Sequence, residues 1–285
     1  MDVHLVDGTY ELFRYHFAPN NKDVDRGATI GVVRSCLQLI ADGATHVGVA
    51  CDHVIESFRN DLWPGYKTSA GMDRQLLAQF GPVEDALRAA GFTVWPMVEV
   101  EADDALASAA HLAAADDRVD RAIICTPDKD LGQCVIDGKV WQWDRRQDTW
   151  FDVAGVQARL GVLPESVPDL LALVGDSADG FPGLPGWGAK SAASVLARWV
   201  HLEDIPADPL EWDANVRGAS KLNLTLRERW QEALLFRRIA TVERDCDVGA
   251  VDDWAWDGPS DLAALADLTD DSVAERAQRL AAKRS

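Results

Sequence analysis

The sequence predicts an α/β protein: a central, mostly parallel sheet flanked by helices, with a mainly helical region after it. Two observations carry this. Up to Asp152, short apolar runs alternate with amphipathic stretches, the rhythm of strands joined by crossover helices and covered on both faces. From Val153 onward the alternation gives way to helical periodicity.

Taken in order, Val3 to Val6 is the first strand, and Thr9 to Phe17 and Ala28 to Asp42 are the first helices. Thr45 to Cys51 is the second strand. A helix runs through Ala86 and Leu87, and Phe92 to Trp95 is the strand after it. Ala102 to Ala115 is an Ala-rich helix. Arg121 to Cys125 is a strand that ends at Thr126-Pro127, where proline offers no N–H to a ladder. Lys139 to Trp143 and Thr149 to Asp152 form a hairpin turning at Arg145 to Gln147, and Pro259 to Lys283 reads as two short helices.

At 285 residues and 47% hydrophobic, the chain can bury one large or two modest cores. It opens Met1-Asp2-Val3-His4-Leu5, without a basic segment before an apolar run, and nowhere do about 18 apolar residues follow one another. The expectation is a soluble, unprocessed, cytoplasmic protein with no membrane partner. The five cysteines (Cys36, Cys51, Cys125, Cys134, Cys246) are scattered, which argues for reduced thiols rather than a disulfide scaffold or a zinc site.

Acids fall where apolar runs end. Asp7 ends the first strand and Asp52 the second; Glu101, Asp103 and Asp104 open the Ala-rich helix; Asp128 and Asp130 follow the fourth strand. In an open parallel sheet these strand ends share one edge. Singly, each acid could be a cap or a turn former. Together, crowded carboxylates repel unless cations sit among them, and hard divalent ions, Mg²⁺ or Mn²⁺, are the economical occupants. The net charge of −19 is otherwise unfavourable to a nucleic-acid binder, and bound ions offset part of it.

Val174 to Ala193 combines two more acids, Asp176 and Asp179, with a Gly/Pro-dense turn between helices. Gly183, Pro185, Gly186 and Gly188 break the first helix, and Lys190, Ser191 and Ala192 start the next, whose free N–H groups suit a phosphate. The pattern resembles the helix-hairpin-helix that grips the sugar-phosphate backbone without reading bases.

LVDGTYELFR, FRNDLWPGYKT, EADDALAS, TPDKDLGQ and GDSADGFPGLPGWGAKSA, in that order, resemble the 5′-nuclease (flap endonuclease) family, most closely the domain at the front of bacterial DNA polymerase I and its stand-alone relatives. The likeness covers about residues 1 to 247. It implies two or more Mg²⁺ or Mn²⁺ ions, Asp7, Asp52, Glu101 and Asp103 serving mainly the first and Asp104, Asp128, Asp130, Asp176 and Asp179 mainly the second. It further implies a helical arch over about 58–80, where Arg59 and Lys67 assist the scissile phosphate and Tyr66 stacks on an unpaired base. Gly183, Gly186, Trp187, Gly188, Lys190 and Ser191 of the hairpin contact DNA, and K⁺ is a candidate ligand of the hairpin carbonyls. Trp63 is a second candidate DNA contact. Ala70 stands where relatives carry an arginine, with Arg74 the nearest substitute.

The implied organisation is an α/β nuclease domain over 1–160 and a helical DNA-binding region over 161–285, in a stand-alone monomer without a polymerase region. The implied activity is 5′-3′ exonuclease and flap endonuclease cleavage of DNA bearing a 5′ flap, nick or 5′ end, or of RNA-primed DNA, to 5′-phosphate and 3′-hydroxyl. Most of Trp141, Trp143, Trp150, Trp199, Trp212, Trp230, Trp254 and Trp256 sit among apolar neighbours, and these eight are assigned to core packing. The alternatives are an inactive flap-binding protein and an acid-cluster ribonuclease. The four acids Asp128, Asp130, Asp176 and Asp179 disfavour the first, and the 59–67 segment and the hairpin disfavour the second.

Overall fold

In the computed structural model, which describes residues 1–19, 26–212 and 216–284, strands form at the unbroken apolar runs. The first half holds β1 (Asp2–Asp7), α1 (Gly8–His16), α2 (Gly27–Ala41), β2 (His46–Asp52), α3 (Phe58–Leu62), α4 (Arg74–Leu77), α5 (Phe80–Ala89), β3 (Thr93–Met97), α6 (Ala102–Ala115) and β4 (Arg121–Cys125). Then follow β5 (Val140–Asp144), β6 (Thr149–Phe151), α7 (Val153–Leu160), α8 (Val167–Val174), α9 (Ala189–Trp199), α10 (Ala219–Glu228), α11 (Trp230–Ala240), α12 (Leu262–Leu268) and α13 (Asp271–Ala282). Chain contacts divide the protein into two units. The first comprises Met1–Ser57, Ser69–Thr126 and Glu243–Ser285; the second comprises Phe58–Thr68 and Pro127–Val242.

The first unit is built on parallel strands in the order β3-β2-β1-β4. Val3, Leu5, Val6, Val47, Val49 and Ile124 are wholly buried, the near-continuous apolar signature of strands covered on both faces. Helix α6 packs against all four strands, and its alanines let it lie close: Ala105, Ala109 and Ala113 have no exposed surface. The C-terminal helices belong to this unit, α12 packing on α5 and α13 on α2. The anchor is the segment before them, where wholly buried Trp254 meets Trp95 edge-on at 5.5 Å and the Trp256 indole donates to the Ala90 carbonyl at 2.8 Å. The contact boundaries assign Pro127–Val242 to the second unit and Glu243–Ser285 to the first, the latter because these tryptophans return the chain to the sheet. Of the cysteines, all but half-buried Cys246 are buried, and none of the five is in a disulfide.

The second unit has the antiparallel β5–β6 hairpin and a helical core of Leu171, Leu173, Phe181, Leu196, Trp212, Leu226 and Phe236. Residues 58–68 join it, α3 packing on α11. Over the 58–80 stretch helix is confined to α3, α4 and the start of α5, with turns over 63–73. Between α8 and α9 the chain folds sharply on itself. A Cβ on Gly183 (φ +67°) would lie 2.3 Å from the Gly175 nitrogen, and one on Gly175 (φ +77°) 2.4 Å from the Pro182 carbonyl carbon. Both glycines are required by that close backbone approach.

Candidate metal centre

In the first unit, the acids sit at the carboxyl ends of β1 and β2 and at the start of α6. Asp7 caps α1, its Oδ1 accepting from the Tyr10 N–H at 2.8 Å and its Oδ2 from the Thr126 hydroxyl at 2.9 Å. Asp52 accepts from the Ala102 N–H at 2.8 Å, and Glu101 from the Ser57 hydroxyl at 2.6 Å. Each carboxylate is thereby held in orientation by a donor from the neighbouring chain. Asp103 is half-buried in the first turn of α6. Asp104 lies deeper in the same first turn of α6. It is wholly buried, and its two oxygens accept from the N–H groups of Glu101 and Glu243, each at 2.8 Å. It caps a helix and ties in the returning chain.

In the second unit, Asp130, Asp176 and Asp179 present oxygens that all lie within 4.8 Å of one another. Local turns hold them. The Asp128 side chain accepts from the Asp130 N–H at 2.9 Å, and Asp176 from the Ala178 N–H at 2.7 Å. Asp128 itself is exposed. Two lysines lie against the triple. The Lys129 ammonium contacts Asp176 and stands 3.1 Å from Asp130, and Lys67 pairs with Asp179 at 3.0 Å.

The electrostatics follow from burial. Asp130 is 7% exposed, and burial, then the Asp128 charge, push its carboxyl up to about 8. Burial also acts against ionised Asp176, but the Lys129 ammonium and two backbone N–H groups outweigh it and leave its carboxyl below the usual range. Burial likewise opposes the Lys129 charge, and Asp130, Asp176 and Asp128 overcome it, raising its value. The Asp130 Oδ1 is buried and makes no hydrogen bond, with the Lys129 ammonium 3.1 Å from it as an ion pair that a metal ion would replace. An all-oxygen donor set with one such atom fits a hard divalent cation. Lys129 carried no role in the sequence reading; its position between Asp128 and Asp130 was the available signal.

The segment at 58–68 docks on the turn bearing these acids. The Lys67 N–H donates to the Asp179 carbonyl at 2.9 Å and the Trp63 indole to the Gly180 carbonyl at 3.0 Å, so Trp63 is a half-buried brace. Lys67 stays partly exposed beside the acids, where a phosphate-assisting cation is expected. Two neighbours do not fit the expected roles. Arg59 is 3% exposed and donates to the carbonyls of Ile239 at 2.8 Å and Thr241 at 3.2 Å, which makes it a buried tie to the end of α11. Tyr66 is 4% exposed within the helical core and offers no free face to a base.

At the hairpin, Gly186, Gly188 and Lys190 are exposed, and the Ser191 hydroxyl accepts from the Gly188 N–H at 3.1 Å at the start of α9. Trp187 and Gly183 are corrections. Trp187 is buried against Trp212 with ring centroids 5.9 Å apart, its indole donating to the Leu222 carbonyl, and buried Gly183 serves the backbone crossing. Core packing holds for Trp212, Trp254 and Trp256 but not for Trp150, which is 38% exposed.

The 5′-3′ exonuclease N-terminal, resolvase-like domain matches residues 2–161, and the 5′-3′ exonuclease C-terminal SAM fold matches residues 162–261. DNA polymerase I of Pseudomonas aeruginosa is 31% identical over 275 residues, covering 92% of this chain and 29% of that protein. The chain thus spans less than a third of that relative's length. A 5′-3′ exonuclease of Buchnera aphidicola is 24% identical over 253 residues, 86% of this chain and 87% of that one. The fold is that of T5 5′-exonuclease, whose structure has divalent metal ions (zinc) bound, with a TM-score of 0.70 at 19% identity and 98% coverage of both chains. The catalytic core of Rad2 in complex with DNA substrate gives 0.62 at 17% identity, covering 97% of this chain and 91% of that one. Among the described residues, no helix is long and apolar enough to cross a membrane. With both parts of the family matched across residues 2–261, the chain belongs to the 5′-3′ exonuclease family and is a nuclease.

Proposed function

We propose that the protein is a divalent-metal-dependent, structure-specific 5′-nuclease that hydrolyses DNA at a 5′ flap, nick or 5′ end, leaving 5′-phosphate and 3′-hydroxyl. The observation that carries the proposal is the Asp130, Asp176 and Asp179 triple, its oxygens within 4.8 Å of one another and lysines at its margin, in a chain of this family. Asp130, Asp176 and Asp179 hold a divalent ion, with Asp128 beside them, and Asp7, Asp52, Glu101 and Asp103 form a second group of ligands. The bound ions supply Lewis acidity and offset charge on the phosphate under attack.

The chain's own groups do the rest. Lys67 and Lys129 offer ammonium donors to non-bridging phosphate oxygens once their carboxylates are engaged elsewhere. Buried Arg59 fixes the segment that carries Lys67. Gly186, Gly188, Lys190 and Ser191 hold a backbone phosphate through N–H groups at the start of α9 and one ammonium, contacts that position without reading sequence. This suits recognition of DNA by structure.

The test is cleavage of end-labelled flapped, nicked and blunt duplexes with Mg²⁺, with Mn²⁺ and with chelator. Metal-dependent release of 5′ fragments from flapped or nicked duplex is expected. Cleavage undiminished in chelator, or none on any substrate, contradicts the proposal.

A further inference from the structure

Along β5, Val140, Gln142 and Asp144 are buried, while Trp141 and Trp143 between them are half-exposed. The hairpin register sets Trp143 opposite Trp150 on that face. Their rings stack with centroids 4.6 Å apart and planes 13° from parallel, and Trp150 is 38% exposed. The Arg145 guanidinium stands 5.7 Å from the Trp143 ring centroid, and exposed Arg146 follows it in the turn. Asp148 accepts from the Trp143 indole N–H at 3.1 Å and so fixes the orientation of that ring.

This is not the packing of the core tryptophans, and hairpin stability alone does not call for a cation beside the stack. A flat, partly open indole surface with one guanidinium beside it and a second arginine exposed next in the turn matches an unpaired base and its adjoining phosphate. The charge argument points the same way. In a chain of net charge −19, two successive arginines balance Asp144 and Asp148 of the same turn and set cations beside partly exposed aromatics, where a polyanion with flat apolar groups can meet both.

We propose that Trp143 and Trp150, with Arg145 and Arg146, form a stacking platform for unpaired nucleotides of a DNA strand. The proposal rests on the nuclease reading above and adds to it a place for single strand apart from the metal centre. The hairpin is tied to the acidic loop from its other face, where the Gln142 side chain donates to the Asp128 carbonyl. A strand lying on the indoles therefore contacts the element that supports the loop carrying Asp130.

The test uses the whole chain with Ca²⁺ in place of Mg²⁺, and fluorescence anisotropy of labelled oligo-dT and of a blunt duplex. Trp150→Ala should weaken oligo-dT binding by about fivefold or more while changing duplex binding by less than about twofold. Trp150→Phe should retain most of the affinity, and Arg145→Ser with Arg146→Ser, which leaves the indole stack in place, should weaken oligo-dT binding as well. Unchanged oligo-dT binding in both the Trp150→Ala and the double arginine variants, with flap cleavage intact in the unmodified protein, overturns the platform alone. So does a dimer in sedimentation that Trp150→Ala converts to monomer, since the face would then be a protein interface. If the unmodified protein neither binds nor cleaves any DNA, the nuclease reading fails and takes the platform with it.

Discussion

Replacing Lys129 with Met keeps most of the side-chain stem and removes the charge that lies against Asp130 and Asp176. At neutral pH the Asp130 carboxyl, pushed up to about 8, remains largely protonated, so the main unrelieved repulsion is between Asp176 and Asp179. At the 4.8 Å limit of the cluster and an effective dielectric constant of about 20, two such charges repel by about 3.5 kcal/mol. The Lys129 side chain is 38% exposed and Lys67 still pairs with Asp179, so screening reduces the cost to about 2 kcal/mol. For a chain of this size that lowers Tm by about 4 °C or somewhat more. Thermal unfolding in chelator should show this loss, and millimolar Mg²⁺ should remove most of it, because an ion in the cluster replaces the missing charge. Titration calorimetry should show Mg²⁺ binding more tightly to the variant, by about tenfold, since one ammonium fewer competes for the carboxylates. An equal loss of Tm with and without Mg²⁺, together with unchanged Mg²⁺ affinity, would refute the reasoning and leave Lys129 as an ordinary structural ion pair.

Asp130 makes Mg²⁺ binding pH-dependent. Its folded value of about 8 lies above its ordinary 3.8, so it opposes folding once ionised, and metal-free stability should fall as pH rises through that interval. Calorimetry in buffers of different ionisation heat should detect nearly one proton released per Mg²⁺ bound at a pH about one unit below 8 and almost none a unit above; equal release at both would remove Asp130 from the ligand set. Arg59→Ala should cost about 3 kcal/mol in urea unfolding, because it leaves the Ile239 and Thr241 carbonyls without that donor; a variant of normal stability but poor turnover would return Arg59 to a catalytic role. Lys190→Ala should lower the slope of log affinity against log salt by about one unit with Ca²⁺ present, and an unchanged slope would remove the hairpin as a phosphate anchor.

The strands were legible because both faces of this sheet are covered, so Val3 to Val6 and Arg121 to Cys125 read as apolar runs with turn formers behind them. The acids were legible for a related reason: each sits at an element boundary that the sequence marks clearly. What sequence could not rank is burial. Arg59, Tyr66 and Trp187 are the residue types a nucleic-acid site uses, and only three-dimensional contacts show them buried inside the protein. Gly183 misleads in the same way, since a glycine needed for backbone crossing looks like one needed for a phosphate. Lys129 and the Trp143–Trp150 stack were missed from the other side. A cation among acids reads as charge balance, and tryptophan in a strand reads as core, until register and exposure are known.

The most direct test of the central claim compares Asp176→Ala with the unmodified protein on one labelled 5′-flap substrate, measuring cleavage with Mg²⁺ and binding with Ca²⁺. The account predicts that the variant binds the flap within about tenfold of normal and no longer cleaves it, because Asp176 serves the metal while the hairpin holds the duplex. Normal turnover by Asp176→Ala at saturating Mg²⁺ would contradict the account and place the chemistry elsewhere in the chain.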